Sequence, residues 1–288
     1  ETLGKLGAIN ALPGSFMTAL AAATAVYLMT KFGLPVSTSQ AIVGAIIGWN
    51  LFSSSPTDSE SLTKIISTWV FCPILAAVFS ALIYLIVVKI IRSVKIHLLR
   101  SDLYTRIGLV LAGAFGSYSL GANNIANVVG VFGPANPFTD FSIVTVGTFT
   151  AAQQLFLLGA LAIGVGVFTY SKRVMMTVGN DLLPLSPVGA WVAVVAHSLV
   201  LFIFASQGLE AFLENLGLPT IPLVPVSSSQ AVVGAVLGIA VIKGGRGIQW
   251  QVLSSIAIGW VITPVIACAF CFIGLYFLKN VFDQSVYL

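Results

Sequence analysis

Long apolar runs separated by short polar loops constrain this chain more than any other feature of its sequence. No run carries a Lys, Arg, Asp or Glu in its apolar interior, and each approaches the ~20 residues that a helix needs to cross ~30 Å of hydrocarbon. Only 8% of the 288 residues are charged, against about a quarter in soluble domains. We therefore predict an all-α polytopic membrane protein. The predicted spans are 13–30, 36–52, 65–88, 107–132, 141–168, 188–204, 221–242 and 252–278.

The basic residues indicate which side of the membrane each loop occupies. If every run crosses once, 10 of the 13 basic residues lie on one side, which the positive-inside rule assigns to the cytoplasm. The loop 89–106 is then cytoplasmic, and the short loops predict a multi-pass protein of the cell membrane. The basic residues are spread over short loops and form no patch that could bind nucleic acid. The ten are Lys31, Lys89, Arg92, Lys95, Arg100, Arg106, Lys172, Arg173, Lys243 and Arg246.

An internal repeat links two distant parts of the chain. The sequence PVSTSQAIVGAIIGW at 35–49 recurs as PVSSSQAVVGAVLGI at 225–239, and the Trp69–Pro73 segment recurs at Trp260–Pro264. In the predicted topology the two copies run in opposite directions, as do the inverted repeats of secondary transporters, whose broken or re-entrant helices meet at the midplane. Residues 1–100 are predicted to be the remainder of the first repeat, with its upstream helices missing, and 101–288 the second.

The residues 35–40 (motif 1) and 225–230 (motif 2) are candidates for binding an anion. Since no buried charge is available, hydroxyls, amides and the N–H groups of a helix N-terminus must hold it. The alternative is that the hydroxyls merely cap a helix. The candidate residues are Ser37, Thr38, Ser39, Gln40, Ser227, Ser228, Ser229 and Gln230.

Three asparagines in five residues, Asn123, Asn124 and Asn127, are costly inside a membrane unless they find partners. Their carbonyl oxygens suit a hard cation such as Na⁺, and hydrogen bonding between helices is the alternative.

Other polar side chains favour structural roles. His197 could relay a proton, but a hydrogen-bonded packing role is the plainer interpretation, as is interhelical bonding for Gln153 and Gln154. Cys72, Cys268 and Cys271 lie in apolar runs, which predicts buried packing residues rather than a disulfide framework.

Four stretches resemble the inorganic phosphate transporter family, whose members move phosphate with Na⁺ or H⁺. GANNIANVVG (121–130) is similar to the GANDVANA-type signature, the two motifs resemble its repeated P-V-S-[ST]-[ST] segments, and 170–179 resembles its G-[RK]-[RK]-V-x-x-T-[VI]-G stretch. The resemblance implies two inverted halves that bind an anion and sodium ions, with Asn123 assigned to the substrate and Asn124 and Asn127 to sodium. Asn124 stands where the signature has Asp, and the first-repeat GAND-type segment is expected upstream of Glu1.

We therefore expect a secondary symporter of inorganic phosphate, coupled to Na⁺ and working by alternating access, with no cofactor other than that ion. A sulfate or other oxyanion permease of the same fold is the alternative, and a passive anion channel is a different class. An intramembrane enzyme is the weakest hypothesis, because no catalytic set is visible. The expected partners are phosphate or sulfate, Na⁺ or H⁺, the lipid bilayer and a second copy of the chain.

Overall fold

A computed structural model describes residues 2–94, 97–143, 147–245 and 247–288, and most of them are helical. The helices are α1 (Thr2–Leu6), α2 (Leu12–Lys31), α3 (Thr38–Ser53), α4 (Ser59–Ser93), α5 (Leu98–Val129), α6 (Ala151–Met176), α7 (Pro187–Ala205), α8 (Gln207–Asn215), α9 (Ser228–Ile242) and α10 (Trp250–Asn280). A 3₁₀ turn at Gly130–Phe132 follows α5, and a π-helical segment at Thr177–Leu182 follows α6.

Five helices are long and apolar enough to cross a membrane: α2, α4, α7, α10 and the segment Ala151–Thr169 of α6. Their surfaces expose large apolar side chains, such as Phe168 at 93% and Val261 at 70%. In a chain with few charges such surfaces fit a hydrocarbon environment. The prediction of an all-α multi-pass membrane protein is confirmed.

The predicted span 141–168 is wrong at its beginning. Phe141–Ile143 (β1) pairs antiparallel with Gly147–Phe149 (β2), and the rings of Phe141 and Phe149 meet edge to face at 5.5 Å. Residues 144–146 lie outside the described part of the chain. Alternating aromatic, β-branched and hydroxyl residues suit a strand better than a helix, so the span is shorter than predicted.

Helix α6 starts with a reciprocal cap. Gln153 N donates to Thr150 Oγ1 over 3.2 Å, and Thr150 N donates to Gln153 Oε1 over 2.9 Å, which is a capping box. Gln154 Nε2 donates to Thr139 O over 2.7 Å. Both glutamines therefore serve the start of this helix, and their predicted interhelical bonding in mid-span is wrong.

The predicted loop 89–106 is mostly helical. Helix α4 continues to Ser93 and α5 begins at Leu98, so most basic residues of this stretch lie on helix ends; Lys95 lies outside the described residues. Arg106 and Asp102 form an exposed ion pair one turn apart, with 2.9 Å between Nε and Oδ2. Such pairs contribute about 0–1 kcal/mol.

The described chain divides into two compact units. Unit 1 comprises Glu1–Thr63, Asn124–Val174 and Ile256–Leu288, and unit 2 comprises Lys64–Asn123 and Met175–Ser255. Each unit draws residues from both sides of residue 100. These compact units are not the predicted repeats at 1–100 and 101–288, which were defined from the duplicated sequence. That division stays a prediction.

In unit 1 helix α3 packs closely against α10. A Cβ built on Gly44 would overlap the carbonyl of Pro264 and lie 2.6 Å from its Cα, and one on Gly48 would lie 2.5 Å from Cys268 O. Two glycines four residues apart form the small-residue face that allows helix backbones to touch in a membrane. Because 44 meets 264 and 48 meets 268, the two helices run in the same direction.

Unit 2 contains the matching contact. A Cβ on Gly234 of α9 would overlap the carbonyl of Pro73 in α4 and lie 2.6 Å from its Cα, and one on Gly238 would lie 2.7 Å from the Cα of Ala77. Each unit thus pairs the motif helix of one predicted repeat with the proline-containing helix of the other. The parallel direction of each pair agrees with the predicted topology.

Candidate functional site

Motif 1 leads from an extended segment into the first turn of α3. Ser37 has an extended backbone and caps the helix, because its Oγ accepts a hydrogen bond from Gln40 N over 3.2 Å. Such a cap is worth about 1 kcal/mol to a helix. The capping interpretation is therefore confirmed for the first serine of motif 1.

Motif 2 has the same local structure. Ser227 caps α9 by accepting from Gln230 N, again over 3.2 Å, and the hydroxyls of Ser227 and Ser229 lie 3.2 Å apart. The repeated letters of the two motifs therefore specify the same turn twice. Both motifs place a serine cap and a glutamine at the start of a short apolar helix.

These short helices cannot cross the hydrocarbon alone. Helix α3 has 16 residues and α9 has 15, which gives about 22–24 Å of helix for a core of ~30 Å. A helix that begins after an extended, proline-led segment fits the predicted broken helices. The position of the motifs at the midplane stays a prediction.

In unit 1 the hydroxyls of motif 1 bond to two asparagines of α5. Thr38 Oγ1 donates to Asn124 Oδ1 over 3.2 Å, and Asn127 Nδ2 donates to Ser39 Oγ over 2.9 Å. Asn127 Nδ2 also lies 3.1 Å from Asn124 Oδ1. Interhelical hydrogen bonding, the alternative to a cation site, is thus present at both asparagines.

At motif 1 and the asparagine bonded to it, two buried amide oxygens have no hydrogen-bond partner among the described residues. They are Gln40 Oε1 and Asn127 Oδ1, on side chains that are 2% and 5% exposed. An unpaired buried acceptor costs about 1–3 kcal/mol, and such an oxygen attracts a donor or a cation. Gln40 belongs to motif 1, and Asn127 bonds to Ser39 of that motif, so both oxygens suit a Na⁺ at motif 1. Asn50 Oδ1 is also unpaired but lies near the other end of α3, and Asn124 Oδ1 already accepts two bonds.

In unit 2 Asn123 holds the backbone of motif 2. Its Nδ2 donates to Val226 O over 2.9 Å, and its Oδ1 accepts from Val226 N over 3.0 Å. Both ends of the amide are therefore used to position the residue before Ser227. Gln230 Oε1 is buried and has no partner among the described residues, so Gln230, rather than Asn123, presents an unused acceptor at motif 2. Contact between Asn123 and the substrate stays a prediction.

Trp260 was not predicted to contact a motif, although the tryptophan recurs in both copies of the repeat. Trp260 Nε1 donates to Pro35 O, the first carbonyl of motif 1, over 3.1 Å. The tryptophan four residues before a proline recurs in both copies, but nothing in its spacing shows which carbonyl the indole meets.

Asn50 was also not predicted. Its Nδ2 donates to Leu6 O over 3.0 Å and to Thr57 Oγ1 over 2.8 Å, so it ties the end of α3 to its neighbours and belongs to the scaffold rather than to the motifs.

The predicted histidine and cysteines differ in their surroundings. His197 Nε2 is buried and lacks a partner among the described residues, so the hydrogen bond expected for a packing histidine is missing at that nitrogen. All three cysteines are free. Cys72 and Cys271 are buried, which confirms the prediction for these two, whereas Cys268 is half-buried. Cys72 Sγ lies 3.7 Å from Ser227 O.

Comparison with known proteins gives a consistent family. A family model described as the phosphate transporter family matches residues 7–105, 93–220 and 216–287. A presumed phosphate permease of Methanocaldococcus jannaschii is 28% identical over 266 residues, which is 92% of this chain and 76% of that protein. A sulfate permease of Bacillus subtilis is 28% identical over 270 residues, which is 93% of this chain and 66% of that protein.

One solved structure shares the fold. It is described as a sodium-dependent phosphate transporter and matches with a TM-score of 0.71 at 20% identity, over 97% of this chain and 85% of the other.

Proposed function

Because the chain belongs to the phosphate transporter family, we propose that it is a secondary symporter that carries inorganic phosphate with Na⁺ by alternating access. It is a multi-pass membrane transporter and not an enzyme. The proposal goes further than family membership in naming the coupling ion, the mechanism and the residues.

The pair of serine-capped helix starts is the observation that carries the proposal. Each motif brings hydroxyls and first-turn N–H groups into an apolar helix, and a helix N-terminus favours an anion. No residue of 35–40, 121–130 or 225–230 is charged. The motifs therefore offer phosphate directional donors without a fixed positive charge, and we assign Ser37, Thr38, Ser39, Ser227, Ser228 and Ser229 to this role.

A co-bound cation offsets the cost of burying phosphate without Arg or Lys. Removing an ion from water costs several kcal/mol unless an opposite charge accompanies it. Binding of Na⁺ and phosphate then becomes reciprocal, each raising the affinity for the other. Asn127 Oδ1 and Gln40 Oε1 are hard oxygen ligands without a hydrogen-bond partner in the described chain, which supports Na⁺ as the coupling ion.

The test is uptake of labelled phosphate by proteoliposomes that contain the purified chain. An inward Na⁺ gradient is expected to drive accumulation above the external concentration, and K⁺ in its place is expected to abolish it. A channel would only equilibrate phosphate across the membrane. Failure of Na⁺ to stimulate uptake, with a proton gradient effective instead, would reject Na⁺ as the coupling ion.

A sulfate permease is the second candidate, since a relative with that name is as similar as the phosphate permease. Asn124 also leaves the site without a carboxylate. Competition separates the two: unlabelled phosphate is expected to suppress phosphate uptake far more than the same concentration of sulfate does. The opposite order would make sulfate the substrate.

A further inference from the structure

The two tryptophans that precede the helix prolines occupy equivalent positions but have different partners. Trp260 lies four residues before Pro264 in α10, and Trp69 lies four residues before Pro73 in α4. The helix that contains each tryptophan packs against a motif helix, and in both cases a glycine of the motif helix contacts the proline. Equal packing would place both indoles beside the start of the respective motif.

Only the indole of unit 1 bonds to its motif. Trp260 Nε1 donates to Pro35 O over 3.1 Å. Trp69 Nε1 is buried and has no hydrogen-bond partner among the described residues. The equivalent acceptor of unit 2 is the carbonyl of Pro225, at the start of motif 2.

A second pair of equivalent positions differs as well. In unit 2 the thiol of Cys72 contacts Ser227 O of motif 2 over 3.7 Å, while in unit 1 the hydroxyl of Thr263 donates to Gly259 O in its own helix over 2.6 Å. The two units therefore hold their motifs through different atoms, although the glycine–proline contacts are the same.

The prolines make this region adjustable. A proline inside a helix removes the hydrogen bond to the carbonyl four residues earlier, and here that carbonyl belongs to Trp69 or Trp260. Each tryptophan therefore sits at the point where its helix is least fixed by backbone bonds. A buried N–H without a partner costs about 1–3 kcal/mol, and a conformation that pairs Trp69 recovers that cost.

We propose that Trp260 and Trp69 are positioning residues for motifs 1 and 2, and that their hydrogen bonds to Pro35 O and Pro225 O alternate during transport. When one indole holds its motif, the other is released. In a transporter with two equivalent halves, exchange of their conformations converts one access state into the other. The inference rests on the proposed alternating access, but its test needs no substrate.

The test is amide hydrogen exchange in the purified full chain, measured on peptides that cover 34–43 and 224–233. Trp260→Phe keeps the ring and removes the donor, so exchange at 34–43 is expected to rise by about two- to tenfold, the worth of one hydrogen bond. Trp69→Phe removes the donor of the alternative state. It is expected to slow exchange at 34–43 by a similar factor, because fewer molecules leave the state in which Trp260 is bonded.

Two further variants sharpen the result. In the double variant the opposing shifts are expected to cancel, and exchange at 34–43 returns to within about twofold of the wild type. Trp191→Phe is the matched control, because Trp191 Nε1 donates to the carbonyl of Gly108 over 3.0 Å and not to a motif; exchange at both motifs is expected to stay unchanged.

Two outcomes overturn the inference: no change at 34–43 in Trp260→Phe, or no slowing there in Trp69→Phe. Either would make the indole in question a packing residue only. Phosphate uptake by the wild type is measured separately, so absence of uptake with the reciprocal exchange effects intact would reject the proposed function and not the pairing of the tryptophans.

Discussion

Asn123 and Asn124 are neighbours in the chain, yet their side chains do different work. Asn123 needs both its oxygen and its nitrogen, because it bonds to the N–H and the carbonyl of Val226. Asn124 is bonded through its oxygen, which accepts from Thr38 and Asn127. A carboxylate accepts hydrogen bonds and does not donate them. It can therefore replace the amide of Asn124 but not that of Asn123.

We therefore expect Asn124→Asp to fold normally and to bind Na⁺ more tightly. The carboxylate keeps both acceptor bonds and adds a negative charge beside Asn127. The Na⁺ concentration that gives half-maximal phosphate uptake is expected to fall by about tenfold, as one nearby charge is worth on the order of 1–2 kcal/mol at a partly screened site. Unchanged Na⁺ dependence would place the cation away from Asn124.

Asn123→Asp is expected to do the opposite. Loss of the donor removes the hydrogen bond to Val226 O and places a carboxylate against that carbonyl, which costs about 1–3 kcal/mol or more. A lower melting temperature of the purified protein, with reduced uptake, is the expected result. Asn215→Asp, on the exposed helix α8, is the control and is expected to change neither. Normal stability of Asn123→Asp would show that the Val226 bonds do not hold motif 2.

Sequence alone could identify the polar residues of the site but not their partners. The spacing of Ser37 and Gln40 specifies a cap wherever a helix begins, so the local structure was predictable. Which asparagine meets which motif depends on packing between segments about 90 to 100 residues apart, and no local pattern encodes that. Gln40 Oε1 and Asn127 Oδ1 stand out only once burial and hydrogen bonds are known.

At the scale of elements, the matched glycines decide which helices form each unit. Gly44 and Gly234 bring their helices so close to Pro264 and Pro73 that a methyl group has no room. The glycine spacing was visible in the sequence, but its partner helix was not. The strands at 141–149 were missed because hydropathy reports how apolar a run is and not whether its side chains alternate.

Gly44→Ala is expected to destabilise unit 1 by at least ~1–3 kcal/mol, because the added methyl overlaps backbone that cannot rotate away. Gly164→Ala is the control: it lies inside α6 with nothing within 4 Å of the new Cβ, and alanine favours a helix by about 0.5–1 kcal/mol over glycine. Melting in detergent checks both. If Gly44→Ala melted at the same temperature as the wild type, the close contact between α3 and α10 would contribute little to stability.

At the scale of the whole molecule, the absence of charge from both motifs bears on substrate choice. Hydroxyl and amide groups can both accept and donate hydrogen bonds, so they can bind a ligand in more than one protonation state. Phosphate gains a proton near neutral pH and sulfate does not. The two substrates therefore predict different responses of transport to pH, although the fold is the same for both.

If phosphate is the substrate, uptake at fixed total phosphate is expected to change severalfold between pH 6 and pH 8, following one ionic form. If sulfate is the substrate, sulfate uptake is expected to be flat over the same range. Rates are compared at saturating Na⁺, and Asn124→Asp serves as a contrast because its carboxylate adds a titrating group. A flat profile for phosphate would mean that both ionic forms are carried equally well.

The glycine face of α3 also bears on how the protein is made. Residues 44–48 are synthesised long before α10, which begins at Trp250. About 200 more residues must be synthesised before this face can contact α10. At 5–20 residues per second the delay is roughly 10–40 s. During that time lipid or the insertion machinery must shield a face that later touches protein backbone. Completion of unit 1 therefore has to follow the synthesis of α10.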